Sequence, residues 1–474
     1  MLTCALTTAL TAAVSTGVAP AHAYEPPAVA ATPAQHLDSV YPTVGNPWVD
    51  VRSYDLDLRW EPTSRTLRGT ARIRLVPARD NGFKLDLSGR LRVDRVRVTG
   101  PSGEDVPATA AHPLRWLSVS APGMAAGSSY TVTVGYHGRP GTTPEPTSRK
   151  DLGGLGWHTG RDGQVWAMQE PWGAFTWYPV NDHPSDKATY QVRLDVPSKW
   201  VGVSNGRLLS RWTGHGRTVT RFTSGDPIAS YLTTVAIGPY VRATQTGPHG
   251  LPLTYWVPRD RTGWLRVLRA TPSLLTWLEA RLGPYPFDRA GVVVTPGDSA
   301  METQTLVTFG ADNFRYGPKE VRQTLVHELA HHWYGDSVTP DDWSDLWMNE
   351  GMAMYLEAAY TTDQGWQSWP MWRAEVDQHD ALWRQLYGAP GAYEHDQFAQ
   401  INVYYSTMRM LVRLRDRLGA AVFDDLVRRW PQEHPDSIQD RTSYVTWLAA
   451  STGEDYASLR AFFDEWLTSP SSPS

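Results

Sequence analysis

Two histidines four residues apart constrain this chain more than any other feature of its sequence. The segment from His327 to His331 has the sequence His-Glu-Leu-Ala-His, within a run from Pro318 to Tyr334 whose apolar residues recur at helical spacing. Residues four apart share one face of a helix, so both imidazoles can reach a single metal ion. Glu328 projects near that ion without binding it, and it can take a proton from a water molecule that the metal activates.

A catalytic zinc site needs a third protein ligand and leaves its fourth position for water. Eighteen residues lie between His331 and Glu350, and Glu350 belongs to the segment Trp347–Ala353, which has the pattern of the start of a second helix. Such a helix can bring its carboxylate to the ion that the two histidines bind. A chance match is the alternative, since short motifs carry false positives. The joint pattern favours one zinc ion bound by His327, His331 and Glu350.

The first 23 residues predict a removable export signal. Residues 2–19 are apolar or small and uncharged, and Ala21-His22-Ala23 has the small residues at which a signal peptidase cuts. A membrane anchor is the alternative, but threonines interrupt the apolar run and no positive charge flanks it. We therefore expect a secreted, extracellular protein with no membrane span elsewhere. Residues 24–45, rich in Pro and Ala, are expected to form a flexible leader.

Cysteine content and charge narrow the chemistry further. The single cysteine, Cys4, lies within the predicted signal, so the processed chain has no thiolate to offer a metal and must hold it with histidines and carboxylates. The formal net charge is −5, without the basic surface that binding to a phosphate backbone requires. We expect no nucleic acid among the partners.

The sequence pattern changes near residue 245, and 474 residues are too many for one hydrophobic core. Before that point, short alternating segments such as Tyr54–Trp60 and Ala71–Leu75 predict strands separated by turns. After it, longer segments at helical spacing predominate. The sequence predicts an α+β protein: an antiparallel β domain over residues 46–245, a mainly helical domain over residues 246–468 and a Ser/Pro tail over residues 469–474.

Three segments inside these domains carry more specific predictions. Tyr231–Ile237 is expected to form a strand, and so is Gly291–Thr295. Trp264–Leu282 is expected to form one amphipathic helix, which ends at the Gly-Pro pair after it.

Three segments around the histidines resemble the zinc motif of the aminopeptidase N and leukotriene-hydrolase family of gluzincins: His327–Asp336, Asp345–Trp347 and Asn349–Gly351. The resemblance extends over roughly residues 46–470. It implies a saddle-like N-terminal β domain, a thermolysin-like catalytic domain, zinc on the two histidines and Glu350, and Glu328 as general base. No part of the sequence matches the C-terminal helical domain of larger members, so we expect a more open cleft.

Two further glutamates are assigned by the same resemblance. Ser299–Thr303, with the sequence Ser-Ala-Met-Glu-Thr, is similar to the family's Gly-Ala-Met-Glu-Asn, which implies that Glu302 holds the α-amine of the substrate. Gln169-Glu170-Pro171 resembles a second family segment, which implies that Glu170 shares that amine. Two nearby carboxylates favour a bound cation. The alternatives are a solvated loop carboxylate for Glu302 and a structural ion pair for Glu170.

The resemblance also implies a tyrosine that donates to the oxyanion of the tetrahedral intermediate. Tyr404 lies in the corresponding place, and Tyr405 is the second choice. Ser406 and Thr407 stand where the family has Lys-Gly. A buried core tyrosine is the alternative for this position.

The resulting hypothesis is a secreted zinc aminopeptidase that acts on peptides with a free N-terminus. An endopeptidase with an open cleft keeps the metal chemistry and loses the amine requirement. A zinc-bearing but inactive peptide-binding protein is the third possibility, and Glu328 argues against it because metal binding alone does not require a carboxylate there.

Overall fold

The computed structural model describes residues 36–149, 151 and 153–473. The expected export signal, residues 1–23, and residues 24–35 of the expected leader lie outside this part of the chain. The prediction of a flexible leader is wrong for residues 36–45, because Asp38 and Tyr41 are buried and the Ser39 hydroxyl donates to Asp342 at 2.6 Å. In the first half of the described chain the strands are β1 (Val49–Glu61), β2 (Thr66–Pro77), β3 (Gly82–Asp86), β4 (Leu91–Thr99), β5 (Asp105–Val106), β6 (Thr109–Ala111), β7 (Trp116–Ser120), β8 (Tyr130–Gly138), β9 (Thr142–Thr143), β10 (Leu155–Thr159), β11 (Val165–Met168), β12 (Thr189–Pro197), β13 (Val201–Ser204), β14 (Arg207–Gly214), β15 (Arg217–Thr223) and β16 (Val235–Gly238).

An eight-stranded sheet forms the largest layer of this half, in the order β14-β15-β12-β1-β2-β8-β4-β5. Apolar and polar residues alternate along its strands because one face of the sheet is buried and the other is exposed to solvent. On β1, for example, Tyr54, Leu56 and Leu58 are buried, whereas Asp55 and Asp57 are exposed. One pairing departs from the expected antiparallel sheet, since β1 and β12 are parallel. A long connection that contains β9 to β11 separates β12 from β8, and this allows β12 to enter the sheet in the direction of β1.

A second sheet, in the order β13-β16-β11-β10-β9, packs with a three-stranded sheet, β3-β7-β6, around the same core. The strand expected at Tyr231–Ile237 is wrong in its first half. Residues Ser230–Leu232 form a 3-10 turn, and only Val235–Gly238 is extended. Tyr231 and Leu232 are fully buried in the turn, and burial on all sides removes the alternation that distinguishes a strand from other buried segments.

The sheet of the second half has the order β17-β18-β19-β21-β20. Its strands are β17 (Tyr240–Thr246), β18 (Pro252–Pro258), β19 (Ala290–Thr295), β20 (Ala300–Met301) and β21 (Val307–Gly310). The change from one sheet to the next therefore occurs between Gly238 and Tyr240, a few residues before the boundary expected at residue 245. The strand expected at Gly291–Thr295 is confirmed as β19.

Helices predominate after this sheet. They are α1 (Leu265–Leu268), α2 (Thr271–Leu282), α3 (Pro318–His331), α4 (Trp347–Asp363), α5 (Trp369–Tyr387), α6 (Thr407–Leu418), α7 (Ala420–Glu433), α8 (Arg441–Thr452) and α9 (Tyr456–Thr468), of which α1 and α2 precede β19. The short strands among them are β22 (Val338–Pro340), β23 (Gly388–Ala389), β24 (Ala392–Tyr393) and β25 (Ser437–Gln439). Within the described part of the chain, no helix has the length and hydropathy to cross a bilayer.

Two helix predictions need correction. The single helix expected over Trp264–Leu282 is divided into α1 and α2, because Pro272 lacks the N–H that would continue the hydrogen bonding of the first helix into the second. The zinc-motif helix ends at His331 rather than at Tyr334. After His331 the chain turns, and Tyr334 bridges to Val338 instead of extending the helix.

The two halves of the described chain share buried contacts next to the zinc-motif helix. Tyr231, from the β-rich half, packs edge-on against Trp343 at 5.0 Å between ring centroids, and Trp343 packs against Phe398 at 5.2 Å. Lys187, also from the β-rich half, donates from Nζ to the carbonyl oxygens of Asp336 at 2.7 Å and Ser337 at 3.1 Å. These contacts join the β-rich half to the segment between α3 and α4.

Candidate active site

The three expected metal ligands lie together on two packed helices. His327 and His331 come from α3 and Glu350 from the first turn of α4. Oε2 of Glu350 lies 3.3 Å from Nε2 of His327 and 3.4 Å from Nε2 of His331. Zinc bonds of about 2.0–2.1 Å in a tetrahedron separate ligand atoms by about 3.4 Å, so the three atoms match a zinc site that keeps a fourth position free.

The outer nitrogens of both histidines are also engaged. Nδ1 of His327 lies 3.0 Å from Oε2 of Glu357, and Nδ1 of His331 lies 3.2 Å from the carbonyl oxygen of Tyr334. The hydrogen bond to Tyr334 fixes the tautomer of His331 and turns its Nε2 toward the site. The Glu357 carboxylate lies within ion-pair distance of His327 on the side away from the site. The sequence prediction missed Glu357. Its signal was available, because Glu357 follows Glu350 by two helical turns on the same face of α4.

Glu328 lies between the two histidines on α3 and faces the same pocket. Its side chain is buried, with 6% of the residue exposed. Burial raises the pKa of Glu328 to about 8, although the positive charge of His327 acts in the opposite sense. A divalent cation at the ligands favours the ionised carboxylate, which is the form that accepts a proton.

Glu302 and Glu170 reach this pocket from different halves of the chain. Glu302 follows β20 and Glu170 follows β11. Each has one buried carboxylate oxygen, Oε1, without a hydrogen-bond partner among the described residues. Burial raises the pKa of both carboxyl groups, and the charge of Glu302 raises that of Glu170 further. Two buried carboxyl groups that line one pocket, each with an oxygen that lacks a partner, favour the presence of a cation there.

The alternative roles for these two glutamates do not fit the structure. A solvated loop carboxylate is wrong for Glu302, which is 4% exposed. No salt bridge to Glu170 occurs among the described residues, so a structural ion pair does not account for it.

Tyr404 lies in the pocket and Tyr405 does not. The backbone at Asn402–Ser406 forms a π-helical turn before α6, a geometry that often occurs at functional sites. The Tyr404 hydroxyl donates to Oε1 of Glu350 at 2.7 Å. The Tyr405 ring packs instead against Trp383, at 5.4 Å between centroids.

Residues of the β-rich half close one side of the pocket. Those that line it are Glu145, Pro146, Thr147, Arg149, Asp151, Leu155, Met168 and Glu170. Of this group, the sequence prediction identified only Glu170. The segment between β9 and β10, which contributes Arg149 and Asp151, has no periodicity and no motif that could have marked it.

Two protein-family models match the chain, and both agree with the geometry of a zinc peptidase. One, described as the peptidase M1 N-terminal domain, matches residues 51–232. The other, described as the peptidase family M1 domain, matches residues 267–466 and includes all three metal ligands. The chain belongs to peptidase family M1. In this M1 zinc metallopeptidase, the zinc site is formed by His327, His331 and Glu350.

Solved M1 structures share both halves of the fold. The M1 zinc metallopeptidase of Deinococcus radiodurans is similar with a TM-score of 0.79 and 25% identity, over 92% of this chain and 97% of that one. A mutant of the Deinococcus radiodurans protein, bound to its substrate Tyr-Ser-Ala, is similar with a TM-score of 0.78 over 92% of this chain and 98% of that one, again at 25% identity.

The similarity to a larger relative is confined to part of that relative. Human glutamyl aminopeptidase is 30% identical over 201 residues, which are 40% of this chain and 21% of that protein. This chain thus matches about a fifth of that relative's length.

Proposed function

We propose that this M1 chain is a zinc aminopeptidase that hydrolyses the N-terminal peptide bond of peptides with a free α-amine. The pair Glu302 and Glu170 carries this proposal. Both residues line the same pocket as the zinc ligands, and each has a buried carboxylate oxygen without a hydrogen-bond partner among the described residues. An ammonium group satisfies both carboxylates at once, and this places the first peptide bond of the substrate beside the metal ligands.

The residues around the ligands supply the remaining steps. The two histidines and Glu350 would hold a zinc ion, which when bound would supply Lewis acidity and make water a nucleophile at neutral pH. Glu328 accepts the proton of the attacking water and returns it to the nitrogen of the leaving peptide. Tyr404 donates its hydroxyl hydrogen to the developing oxyanion. Its ring lies over His327, 6.0 Å between centroids, which keeps the hydroxyl close to the ligands.

The substrate class follows from the same arrangement. We infer peptides with a free α-amine, in keeping with the tripeptide bound to the similar Deinococcus radiodurans protein. Hydrolysis of peptides with a free amine and of N-acetylated analogues should be compared for the zinc-loaded protein, with and without a chelator. We expect cleavage of the free peptides alone, and its loss in the chelator. Equal cleavage of blocked peptides would show an endopeptidase instead.

Replacement of the amine anchor tests the pair directly. We expect Glu302→Gln to raise KM for free peptides more than it lowers kcat, because a neutral amide binds an ammonium group less tightly. A solvent-exposed carboxylate elsewhere, in the variant Glu320→Gln at the start of α3, serves as the matched control. Equal kinetic constants in wild type and Glu302→Gln would contradict the assignment of Glu302.

We also propose that the protein is secreted. The support is the apolar run of residues 2–19 followed by Ala21-His22-Ala23. Expression in a secreting host should give a protein in the culture medium whose first residue is Tyr24. Retention of the full chain inside the cell would contradict this proposal.

A further inference from the structure

Arg149 extends from the segment between β9 and β10 into the pocket of the zinc ligands. Its Nη1 donates to the carbonyl oxygen of Ala399 at 2.7 Å and to the hydroxyl oxygen of Tyr404 at 3.2 Å. The other side of the guanidinium donates to Asp151, from Nε at 3.1 Å and from Nη2 at 2.7 Å. A residue of the β-rich half therefore contacts the tyrosine beside the metal site.

Asp151 is itself held by the amine-anchor segment. The hydroxyl of Ser299 donates to Oδ2 of Asp151 at 2.7 Å. Ser299 is the position at which the sequence departs from the Gly of the family signature. The departure has a structural role here, because a glycine has no side chain that could hold Asp151 and, through it, Arg149.

The direction of the hydrogen bonds decides what Arg149 does to Tyr404. A guanidinium carries only donors, so the Tyr404 oxygen must accept from it. The hydroxyl hydrogen of Tyr404 then has to point away from Arg149. It points to Oε1 of Glu350, which accepts it at 2.7 Å. A phenol that accepts from a cation is also a stronger donor through its own hydrogen.

We propose that Arg149 is a positioning residue that orients the Tyr404 hydroxyl toward the metal ligands and strengthens it as a donor to the oxyanion. The inference rests on the proposed role of Tyr404 in aminopeptidase catalysis. It extends that role across the two halves of the chain. Ser299 holds Asp151, which in turn holds Arg149. Arg149 then fixes the direction in which the hydroxyl hydrogen of Tyr404 points.

A purely structural brace is the competing explanation. The bonds from Arg149 to Asp151 and to Ala399 would suffice for a brace, and the loss of a brace would weaken the fold whether or not Tyr404 has a hydroxyl. A positioning residue acts only through that hydroxyl. The two explanations therefore differ in whether the effects of replacing Arg149 and Tyr404 are additive.

A double-mutant cycle with Arg149→Met and Tyr404→Phe tests the proposal. We expect Arg149→Met to lower kcat at least about 10-fold, the scale of a hydrogen bond to a charged group, with KM changed less than about twofold. In the Tyr404→Phe background the same replacement should lower kcat less than about twofold further. Equal losses in both backgrounds, or a loss confined to KM, would overturn the proposal.

Three further variants make the result specific. Arg149→Lys keeps the charge and one donor, so it should recover part of the lost kcat. Ser299→Gly should reduce kcat in the same direction by a smaller factor. Arg139→Met replaces an exposed arginine between β8 and β9, outside the pocket, and should leave kcat unchanged. Thermal unfolding of each variant checks that the fold is intact.

Binding of a phosphinic dipeptide gives a readout that does not depend on turnover. Its tetrahedral anionic centre imitates the intermediate, so its affinity should fall in Arg149→Met and in Tyr404→Phe, with no further fall in the double variant. Additive losses of affinity would overturn the inference even if the enzyme is active. Conversely, equal cleavage of free and N-acetylated peptides would contradict the proposed function. The non-additive pattern of inhibitor affinities would still support the link between Arg149 and Tyr404.

Discussion

Oε2 of Glu357 lies 3.0 Å from Nδ1 of His327, the nitrogen opposite the one that faces the metal site. Nε2 of Gln323 donates to the other oxygen of the same carboxylate at 2.7 Å, which fixes its orientation. Carboxylate partners of this kind orient a metal-binding imidazole and raise its basicity. We expect Glu357→Gln to weaken zinc binding about 10–100-fold. Competition with a chelator of known zinc affinity measures the change.

An exposed glutamate of the next helix provides the control for this prediction. Glu375 lies on α5 and pairs only with His379 in the described chain, at 3.3 Å. Glu375→Gln should leave the zinc affinity unchanged. If Glu357→Gln binds zinc as tightly as the wild type, the carboxylate has no part in holding His327.

Glu328→Gln should separate catalysis from metal binding. The amide keeps the size of the side chain and cannot accept a proton from water at neutral pH. We expect kcat to fall at least about 100-fold, within the range of a general base, while one zinc ion stays bound per chain. Metal analysis of the purified variant and a progress curve with a free-amine substrate measure the two quantities. A variant with native kcat would rule out Glu328 as the base.

Removal of zinc should destabilise the folded chain. An ion that binds the folded state alone stabilises it by about 4 kcal/mol when its concentration is about 1,000 times Kd. Without the ion, the buried carboxylates of Glu302, Glu328 and Glu350 lose the cation that offsets their burial. We expect the chelated protein to unfold at a lower temperature in calorimetry and to recover when zinc is added. An unchanged unfolding temperature would show that the site contributes nothing to stability.

We predict that mild acid lowers the stability of the fold through the buried side chain of His158. Its ring stacks on Trp166, 5.1 Å between centroids, and burial lowers its pKa from 6.5 to about 4. Between these values the unfolded chain binds a proton that the folded chain does not. The stability from neutral His158 is therefore present above pH 6.5 and lost as the pH falls toward 4, by as much as about 3 kcal/mol.

The variant His158→Phe isolates this contribution, because other buried groups such as His183 titrate in the same range. Denaturant unfolding of both proteins at a series of pH values gives the difference in unfolding free energy. We expect the stability of the variant relative to wild type to rise as the pH falls from 6.5 to 4. A constant difference over that range would contradict the prediction.

The zinc ligands were predictable because each depends on local spacing. His327 and His331 share a helical face by virtue of four-residue spacing, and Glu350 begins the next helix at a distance that the family motif fixes. The same holds for the strands of the eight-stranded sheet, whose alternation follows from having one buried face. Such features depend on a few neighbouring residues, so the sequence predicts them without knowledge of the tertiary contacts.

Other features depend on contacts between distant residues and carry no local signal. The parallel pairing of β1 and β12 joins segments more than a hundred residues apart. Arg149 meets Tyr404 across 255 positions of sequence. The 3-10 turn at Tyr231 is stabilised by packing against Trp343, which no periodicity near Tyr231 could indicate. These parts of the site depend on tertiary packing, and so they became apparent only in the structure.

Lys187 joins the two halves of the chain through the carbonyl oxygens just beyond the zinc-motif helix. The proposed amine anchor is divided between these halves, with Glu170 in the first and Glu302 in the second, while His327, His331 and Glu350 all lie in the second. If these assignments hold, a substitution at Glu170 or Arg149 changes how a peptide is held or activated while the three metal ligands keep their identity.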